Sequence, residues 1–252
     1  MYYKVNDISI YYEKYGTGSK NILILPGWGD TRITFNSMIN YLKNYYTIYI
    51  IDYPGFGKST FPEYDLDIYD YANIIRSFIK YLNIHNPIII SHSFGGRISA
   101  ILSGKYKEKI AKSIMIDVAP IKPKKTLFKI IKEKLYKLLK FIRFILPKKH
   151  RKKYIEKLLS IFASVDYKSI PLCMQKTFKN IVSEDLSKYL SSIDEEVLIL
   201  WGELDKDTPL RDGIKINKLI KNSAIITFPK ASHFVYLDYP LLVNKIIKEF
   251  LK

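Results

Sequence analysis

The sequence predicts an α/β fold: a mostly parallel, doubly wound sheet of about eight strands, with a helical segment inserted after the sixth strand. Short apolar runs of strand length recur along the chain, and helical periodicities lie between them. From Asn21 onward these runs are almost wholly apolar, which is typical of parallel strands covered by helices on both faces. The alternation stops between Ala119 and Leu190, where only helical patterns occur.

Two sets of segments carry this prediction. The strand-like segments are Tyr2–Val5, Ile8–Glu13, Asn21–Leu25, Thr47–Asp52, Pro87–Ser91, Lys112–Ile116, Glu196–Trp201 and Ala224–Phe228. The helix-like segments outside the interruption are Ile33–Leu42, Ile68–Leu82, Phe94–Ser103, Leu210–Ile220 and Leu241–Leu251. Since the first two strands follow one another closely, we expect an antiparallel hairpin at the start of the sheet.

The interruption predicts a separate helical domain. We assign residues 120–190 to it, and residues 1–119 and 191–252 to the α/β core. Its expected helices are Thr126–Leu146, Lys152–Ala163 and, roughly, Leu172–Val182. In the first of these helices the apolar residues share one face and the basic residues share the other, so the helix is amphipathic.

The positive charge of the chain belongs to this insertion. The formal net charge is +17, from 41 Lys and Arg against 24 Asp and Glu. Between Ile121 and Leu158 there are 15 basic and 2 acidic residues, which leaves 26 basic and 22 acidic residues in the rest of the chain. Only six of the basic residues are arginine, the side chain best suited to reading phosphates and base edges. Nucleic-acid binding is therefore a disfavoured alternative, although the segment suggests an anionic partner.

Composition limits the chemistry and the compartment. A single cysteine, Cys173, excludes an intramolecular disulfide and a cysteine-based zinc site. The first residues lack the apolar run of a secretory signal, and no stretch approaches the roughly 18 apolar residues of a membrane span. We expect a cytoplasmic protein with no cofactor and no metal.

A serine at a strand-to-helix turn is the first catalytic candidate. The strand Pro87–Ser91 runs into Ser91-His92-Ser93-Phe94-Gly95-Gly96, after which a helical pattern begins. This arrangement is the nucleophile elbow, in which a sharp turn exposes the apical hydroxyl and small flanking residues make room for it. Ser93 is therefore the expected nucleophile, and the Phe94 N–H at the helix start is an expected oxyanion donor.

A serine nucleophile needs a base, and the chain offers four histidines. His92 adjoins Ser93 in sequence and should point away from it into packing. His85 lies in the turn before the strand, and His150 lies in the basic run. His233 follows the last strand, at the same sheet edge as Ser93, and elimination makes it the expected base.

The base in turn needs a carboxylate to fix its tautomer. Asp205 lies in the turn just past the strand Glu196–Trp201 and is the favoured residue. Asp207 is interpreted as a cap of the helix near Pro209, and Asp117, which follows another strand, is the fallback acid. The second oxyanion donor is expected in Pro26-Gly27-Trp28-Gly29-Asp30, at the Trp28 N–H.

These motifs resemble those of the α/β-hydrolase fold across essentially the whole chain. The matching residues are Leu25–Gly29, Asp52–Ser59, Ser91–Gly96, Gly202–Asp205 and Ser232-His233-Phe234, in the family's order Ser93, Asp205, His233. The family usually has His-Gly in place of Pro26-Gly27, and glycine in place of Ser91 and Ser232. The resemblance implies that residues 120–190 form the lid, or cap, over an active site.

The resemblance implies a serine hydrolase that cleaves a carboxylic ester or thioester, similar to carboxylesterases and pimeloyl-carrier methyl ester esterases. Hydrolysis of a carbon–carbon bond in a β-diketone acid would use the same residues and stays open. A hydrolase-like binding protein without catalysis is the third reading. The basic insertion suggests an acidic carrier protein or an anionic membrane surface as partner, or simply a solvated lysine face.

Overall fold

The computed structural model describes residues 1–122, 127–144, 147–162 and 170–252. The chain divides into two compact units, one formed by residues 1–122 and 180–252 and the other by residues 123–179. The larger unit contains a single eight-stranded sheet with the order β1-β2-β4-β3-β5-β6-β7-β8. This sheet confirms the predicted α/β class.

The strands lie close to the predicted positions. They are β1 Tyr2–Val5, β2 Ile8–Tyr15, β3 Asn21–Leu25, β4 Thr47–Ile51, β5 Ile88–His92, β6 Lys112–Ile116, β7 Glu196–Gly202 and β8 Ser223–Phe228. The β1–β2 hairpin is antiparallel, and β2 also pairs antiparallel with β4. All remaining pairs are parallel, so the carboxyl ends of β3 to β8 meet at one edge.

The helices of the larger unit connect these strands. They are α1 Asn36–Leu42, α2 Ile68–Tyr81, α3 Phe94–Ala100, α7 Ser187–Leu190, α8 Leu210–Leu219, α9 Val235–Asp238 and α10 Pro240–Phe250. A 3₁₀ turn, Arg32–Phe35, precedes α1, and a π-helical turn, Ile101–Lys105, continues α3. The helix α6, Gln175–Ser183, spans the boundary between the two units.

Helices cover both faces of the sheet, as the apolar strands predict. On one face, α1 and α10 pack on the even-numbered residues of β3 and β4, for example Ile22 and Ile48. On the other face, α2 and α3 pack on the odd-numbered residues, for example Leu23 and Tyr49. Because successive strand residues point to opposite faces, strands buried on both sides must be apolar throughout.

The smaller unit is helical in the residues that are described. It contains α4 Leu127–Phe141, a 3₁₀ turn at Ile142–Phe144, and α5 Lys148–Phe162. The two helices contact each other, and the Tyr154 hydroxyl donates a hydrogen bond to the Leu139 carbonyl at 2.9 Å. The predicted ends at Thr126, Ile145–Leu146 and Ala163 lie outside the described residues. None of the described helices is long and apolar enough to span a membrane.

Candidate active site

The turn between β5 and α3 has the geometry of a nucleophile elbow. Ser93 has φ 47° and ψ −109°, a left-handed conformation that side chains rarely adopt. Its N–H donates to the Ile116 carbonyl at 3.1 Å, and its carbonyl accepts from Gly96 and Ala119 at 3.1 and 3.0 Å. These bonds to the turn and to the neighbouring strand hold the backbone of Ser93 in a conformation that it would otherwise avoid.

Two glycines allow this turn to pack closely. A Cβ at Gly95 would lie 2.0 Å from the Leu25 carbonyl oxygen, and one at Gly96 would lie 2.2 Å from the Val118 side chain. Ser91, where the family usually has glycine, is fully buried, and its hydroxyl donates to the Ile114 carbonyl at 3.3 Å. Serine is therefore accommodated at this position because its hydroxyl finds an acceptor.

The three residues predicted to form a triad are connected by hydrogen bonds. The Nε2 atom of His233 lies 2.9 Å from the Ser93 Oγ, and its Nδ1 atom lies 2.8 Å from the Asp205 Oδ2. With the proton on Nδ1, the ring donates to Asp205 and can accept the hydroxyl proton of Ser93. Residues 93, 205 and 233 thus converge at the carboxyl edge of the sheet, each from the loop after a different strand.

Asp205 is fixed by further donors in its own loop. Its Oδ1 accepts the backbone N–H groups of Asp207 and Thr208 at 2.8 and 2.9 Å. The Thr208 hydroxyl lies 2.5 Å from Asp205 Oδ2 and 3.2 Å from His233 Nδ1. A carboxylate that accepts several bonds stays ionised and keeps its orientation.

The charges of the pair reinforce each other. Burial opposes protonation of the His233 imidazole, but the hydrogen bond and negative charge of Asp205 outweigh it and raise the pKa of His233. Burial likewise works against ionisation of Asp205, yet the hydrogen bonds from His233 and Thr208 lower its pKa below the ordinary value. The arrangement therefore favours an ionised aspartate beside an imidazole of increased basicity.

The other acidic candidates have different surroundings. Asp117, the fallback acid, is completely buried and accepts the N–H of Gly202 at 2.9 Å, with no described hydrogen bond to His233. The interpretation of Asp207 as a helix cap is wrong: α8 begins at Leu210 with Pro209 at the N-cap position and no side-chain capping bond. Proline has no side-chain hydrogen-bond acceptor, so Pro209 cannot cap α8 in the way that an aspartate would.

The loop after β3 adjoins the elbow, as the expected oxyanion donors require. A Cβ at Gly27 would lie 2.9 Å from His92 Nδ1 and 3.6 Å from the Ser93 Cβ. The rings of Trp28 and Phe94 are in edge contact, with centroids 5.3 Å apart. Phe94 is the first residue of α3, so its N–H has no acceptor within that helix. The roles of the Trp28 and Phe94 N–H groups as oxyanion donors remain predictions.

His92 has a supporting position that the sequence did not reveal. Its side chain is 1% exposed, and its Nε2 lies 2.9 Å from the backbone oxygen of His233. Its Nδ1 lies 3.5 Å from the Tyr236 hydroxyl, which in turn donates to Asp30 at 3.0 Å. Burial lowers the pKa of His92 to about 3, so the imidazole is neutral and its Nε2–H donates to the His233 carbonyl.

A buried arginine ties the ends of the inserted segment to the elbow helix. Arg97 donates from Nη1 to the Ala119 carbonyl, and from Nη2 to the carbonyls of Ile181 and Glu184, at 2.5, 2.7 and 2.5 Å respectively. Ala119 precedes the insertion and Ile181 follows the smaller unit. A hydrogen bond from the Leu186 N–H to the Pro120 carbonyl, 2.9 Å long, joins the same two stretches.

One group of described residues has metal-ligating atoms close together. Atoms of Asp205, Asp207 and His233 lie within 4.8 Å of one another. Two of these residues, Asp205 and His233, are already hydrogen-bonded to each other through the atoms that would serve as ligands. The geometry thus favours a proton-transfer pair at this position over a metal centre.

Comparison with known proteins identifies the family. The model of the alpha/beta hydrolase fold matches residues 20–157. The pimeloyl-[acyl-carrier protein] methyl ester esterase of Wigglesworthia glossinidia brevipalpis is 31% identical, over 94% of this chain and 95% of its own. This chain belongs to the alpha/beta hydrolase fold family, which confirms the resemblance seen in its motifs.

Two further matches are more distant. The 2-hydroxy-6-oxononadienedioate/2-hydroxy-6-oxononatrienedioate hydrolase 1 of Pseudomonas putida is 23% identical, over 97% of this chain and 92% of its own. A bromoperoxidase from Bacillus anthracis has a solved structure that superimposes with a TM-score of 0.78 at 19% identity, covering 100% of this chain and 99% of that one. The second likeness establishes the fold alone.

Proposed function

We propose that this protein is a serine hydrolase that cleaves a carboxylic ester or thioester through an acyl-enzyme. The observation that carries the proposal is the hydrogen-bonded series from Ser93 Oγ through His233 to Asp205, with distances of 2.9 and 2.8 Å. Such a series activates a hydroxyl whose own pKa is far too high for attack at neutral pH.

The reaction uses each residue in turn. Ser93 Oγ attacks the substrate carbonyl while its proton moves to His233 Nε2, and the carbonyl oxygen becomes negatively charged. The tetrahedral intermediate collapses, the alcohol or thiol leaves with the proton from His233, and the acyl group stays on Ser93. Water then attacks this ester, again giving its proton to His233, and releases the acid as Ser93 regains its proton. Asp205 stays ionised throughout and stabilises the imidazolium.

The proposed oxyanion donors are the backbone N–H groups of Trp28 and Phe94. The contact of Gly27 with the elbow supports the first, and the position of Phe94 at the amino end of α3 supports the second. Hydrogen bonds at this place stabilise the charge that develops on the substrate oxygen, and losing one donor typically costs about 10²- to 10³-fold in rate.

We assign substrate selection to residues 120–190, as the cap of the hydrolase, with residues 1–119 and 191–252 as the catalytic core. The segment between Ile121 and Leu158 has 15 basic and 2 acidic residues, and this positive charge would attract an acidic carrier protein or an anionic membrane surface. The relative that is named for an acyl-carrier protein methyl ester favours the carrier. Rates on a carrier-bound ester should then fall as salt is added, and rates on a neutral ester should not.

Carbon–carbon bond hydrolysis is the second candidate. The relative from Pseudomonas putida is named for a ketone-bearing dicarboxylate, a type of compound that has no ester to cleave. The same residues could serve, but the leaving group would be a carbon that needs a proton. Comparing turnover of p-nitrophenyl esters with that of a 2-hydroxy-6-oxo dienoate distinguishes the two reactions, and turnover of neither class would favour a binding protein.

The test of the central assignment is covalent labelling. A fluorophosphonate should label the wild-type protein, and Ser93→Ala should abolish both labelling and ester turnover. Ser103→Ala is the control: Ser103 is a buried serine in the helical turn that follows α3, and its hydroxyl donates to Glu195 at 2.6 Å. Labelling that persisted in Ser93→Ala would contradict the proposal.

A further inference from the structure

Asp117 is a buried carboxyl group for which the proposed reaction has no use. It follows β6 directly, is 0% exposed, and has φ 45°, a left-handed conformation that is uncommon outside glycine, although aspartate adopts it more readily than most residues. Its backbone N–H donates to the Leu200 carbonyl at 3.1 Å, which extends the pairing of β6 with β7. A strained, buried, ionisable residue one loop away from Ser93 calls for a physical reason.

The side chain of Asp117 connects two loops of the candidate active site. Its Oδ1 accepts the N–H of Gly202 at 2.9 Å, and its Oδ2 accepts the N–H of Val235 at 3.4 Å. Gly202 is the last residue of β7, shortly before Asp205, and Val235 begins α9, shortly after His233. One oxygen of the carboxyl group therefore holds the start of the loop that carries Asp205. The other oxygen holds the end of the loop that carries His233.

The main chain of Asp117 adds a third connection. Its carbonyl lies 3.1 Å from the Thr208 hydroxyl, the same hydroxyl that lies 2.5 Å from Asp205 Oδ2. The two loops are also joined directly, by the Leu204 N–H bond to the Ala231 carbonyl at 2.9 Å. Within the described residues, Asp117 thus contacts both sides of the Asp205–His233 pair and hydrogen-bonds to neither residue's side chain.

We propose that Asp117 is a positioning residue for the reaction: it holds the loop of Asp205 and the loop of His233 at the separation that the Ser93–His233–Asp205 series requires. This inference rests on the proposed function. Displacing catalytic groups by about 1 Å can cost about 10²-fold in rate, so a link between the two loops has a direct effect on turnover.

The ionisation of Asp117 is consistent with this role. Burial raises its pKa to about 8, and the nearby charge of Asp205 acts in the same direction. The group is therefore mainly protonated at neutral pH, so it adds little negative charge beside the Asp205–His233 pair, and its oxygens can still accept the two backbone N–H groups. Asp205 is then the largest source of the negative charge that raises the pKa of His233.

The test is Asp117→Asn, which keeps the size of the side chain but replaces one acceptor oxygen with an amide donor. We expect kcat per active site, counted by fluorophosphonate titration, to fall about 10- to 100-fold, with KM within about twofold of wild type. In an Asp205→Ala background, Asp117→Asn should lower kcat less than about threefold, because the Asp205–His233 pair that Asp117 positions is already broken.

The matched control is Ser113→Ala, on the same strand. Ser113 is also 0% exposed, and its hydroxyl donates to Glu195 at 2.7 Å, at the end of β6 away from Asp117. This variant should lose stability and keep kcat per active site. If Asp117→Asn is insoluble, Asp117→Ser serves instead: its shorter side chain has one oxygen and cannot bond to both loops, so kcat per active site should also fall at least about 10-fold. Independently of any variant, the Gly202 and Val235 amides of wild type should exchange more slowly than their loop neighbours.

Several results would overturn the inference. Wild-type kcat in Asp117→Asn would remove the positioning role, as would an equal loss in the Asp205→Ala background or rapid exchange of both amides. A loss as complete as that of His233→Ala would make Asp117 the acid of the triad instead. The proposed function fails separately, if Ser93→Ala keeps activity or wild type has none.

Discussion

The neutral imidazole of His92 lies with its Nε2 atom 2.9 Å from the backbone oxygen of His233, although the two residues are 141 positions apart. The turn that carries Ser93 therefore also holds the loop that carries His233. Ser93 and His233 are therefore connected twice, once through their side chains and once through His92.

His92→Phe tests this second connection. The phenyl ring fills the space but has no N–H, so the His233 carbonyl loses its donor, and we expect a loss of stability of about 1–3 kcal/mol. The His233 ring should also become less well oriented and kcat should fall about tenfold. Thermal unfolding and kcat per titrated site measure the two effects. Unchanged kcat with lowered stability would restrict His92 to packing.

The pH dependence of kcat should follow His233. The imidazole must be neutral to accept the Ser93 proton, so kcat should rise with pH through the pKa of His233, which Asp205 raises above the ordinary value. In Asp205→Asn that influence is lost, so the rising limb should shift to lower pH while kcat falls about 10²- to 10⁴-fold. Rate profiles between about pH 4 and 9 provide the comparison. A limb that did not move would argue against Asp205 as the acid.

Gly27→Ala tests the loop after β3. The added Cβ would lie 2.9 Å from His92 Nδ1, so the loop must move away from the elbow, and with it the Trp28 N–H. We expect kcat per active site to fall about 10²-fold, in line with loss of one oxyanion donor. Gly18→Ala is the control, because its Cβ would meet the Tyr45 carbonyl at 2.2 Å, away from the site. That variant should lose stability and keep its kcat, and equal kinetic effects would contradict the assignment.

Arg97→Met tests the tie between the elbow helix and the ends of the insertion. Burial lowers the pKa of Arg97 to about 10, so the guanidinium remains charged at neutral pH, and three carbonyls would lose their donor without it. We expect a loss of about 2–4 kcal/mol in the free energy of unfolding.

Arg76→Met is the matched comparison for this loss. Arg76 is half exposed and pairs with Glu108 on the surface, so its loss should cost less than about 1 kcal/mol. Urea unfolding of both variants gives the difference. Equal losses would mean that the three carbonyls contribute no more than a surface ion pair does.

Most of the sheet could be predicted because its strands are buried on both faces and are therefore apolar throughout. Short helical elements could not be predicted from the same pattern. Val235–Asp238 is a single helical turn, too short to show a period, and the first turn of the predicted helix Ile33–Leu42 is 3₁₀. The hydrophobic pattern is the same for both kinds of turn, so periodicity could not separate them.

The members of the candidate site could be named from the sequence because each follows a strand, and parallel strands end at one edge. The residues that hold these site members in position could not be predicted in this way. The bonds of Asp117 to Gly202 and Val235 join positions 85 and 118 residues apart, and they involve backbone groups that every residue has. Nothing in residue type distinguishes an aspartate that holds two loops from one that fixes a histidine.

The left-handed backbone of Ser93 implies a compromise in how this chain evolved. Such a conformation costs a residue with a side chain about 1–3 kcal/mol, and glycine would adopt it without strain. A glycine at position 93 would relieve this strain but would lack the hydroxyl that we propose as the nucleophile. If Ser93 is the nucleophile, as we propose, selection has kept the hydroxyl at this turn at the expense of some stability, and the more stable variant Ser93→Gly would be inactive.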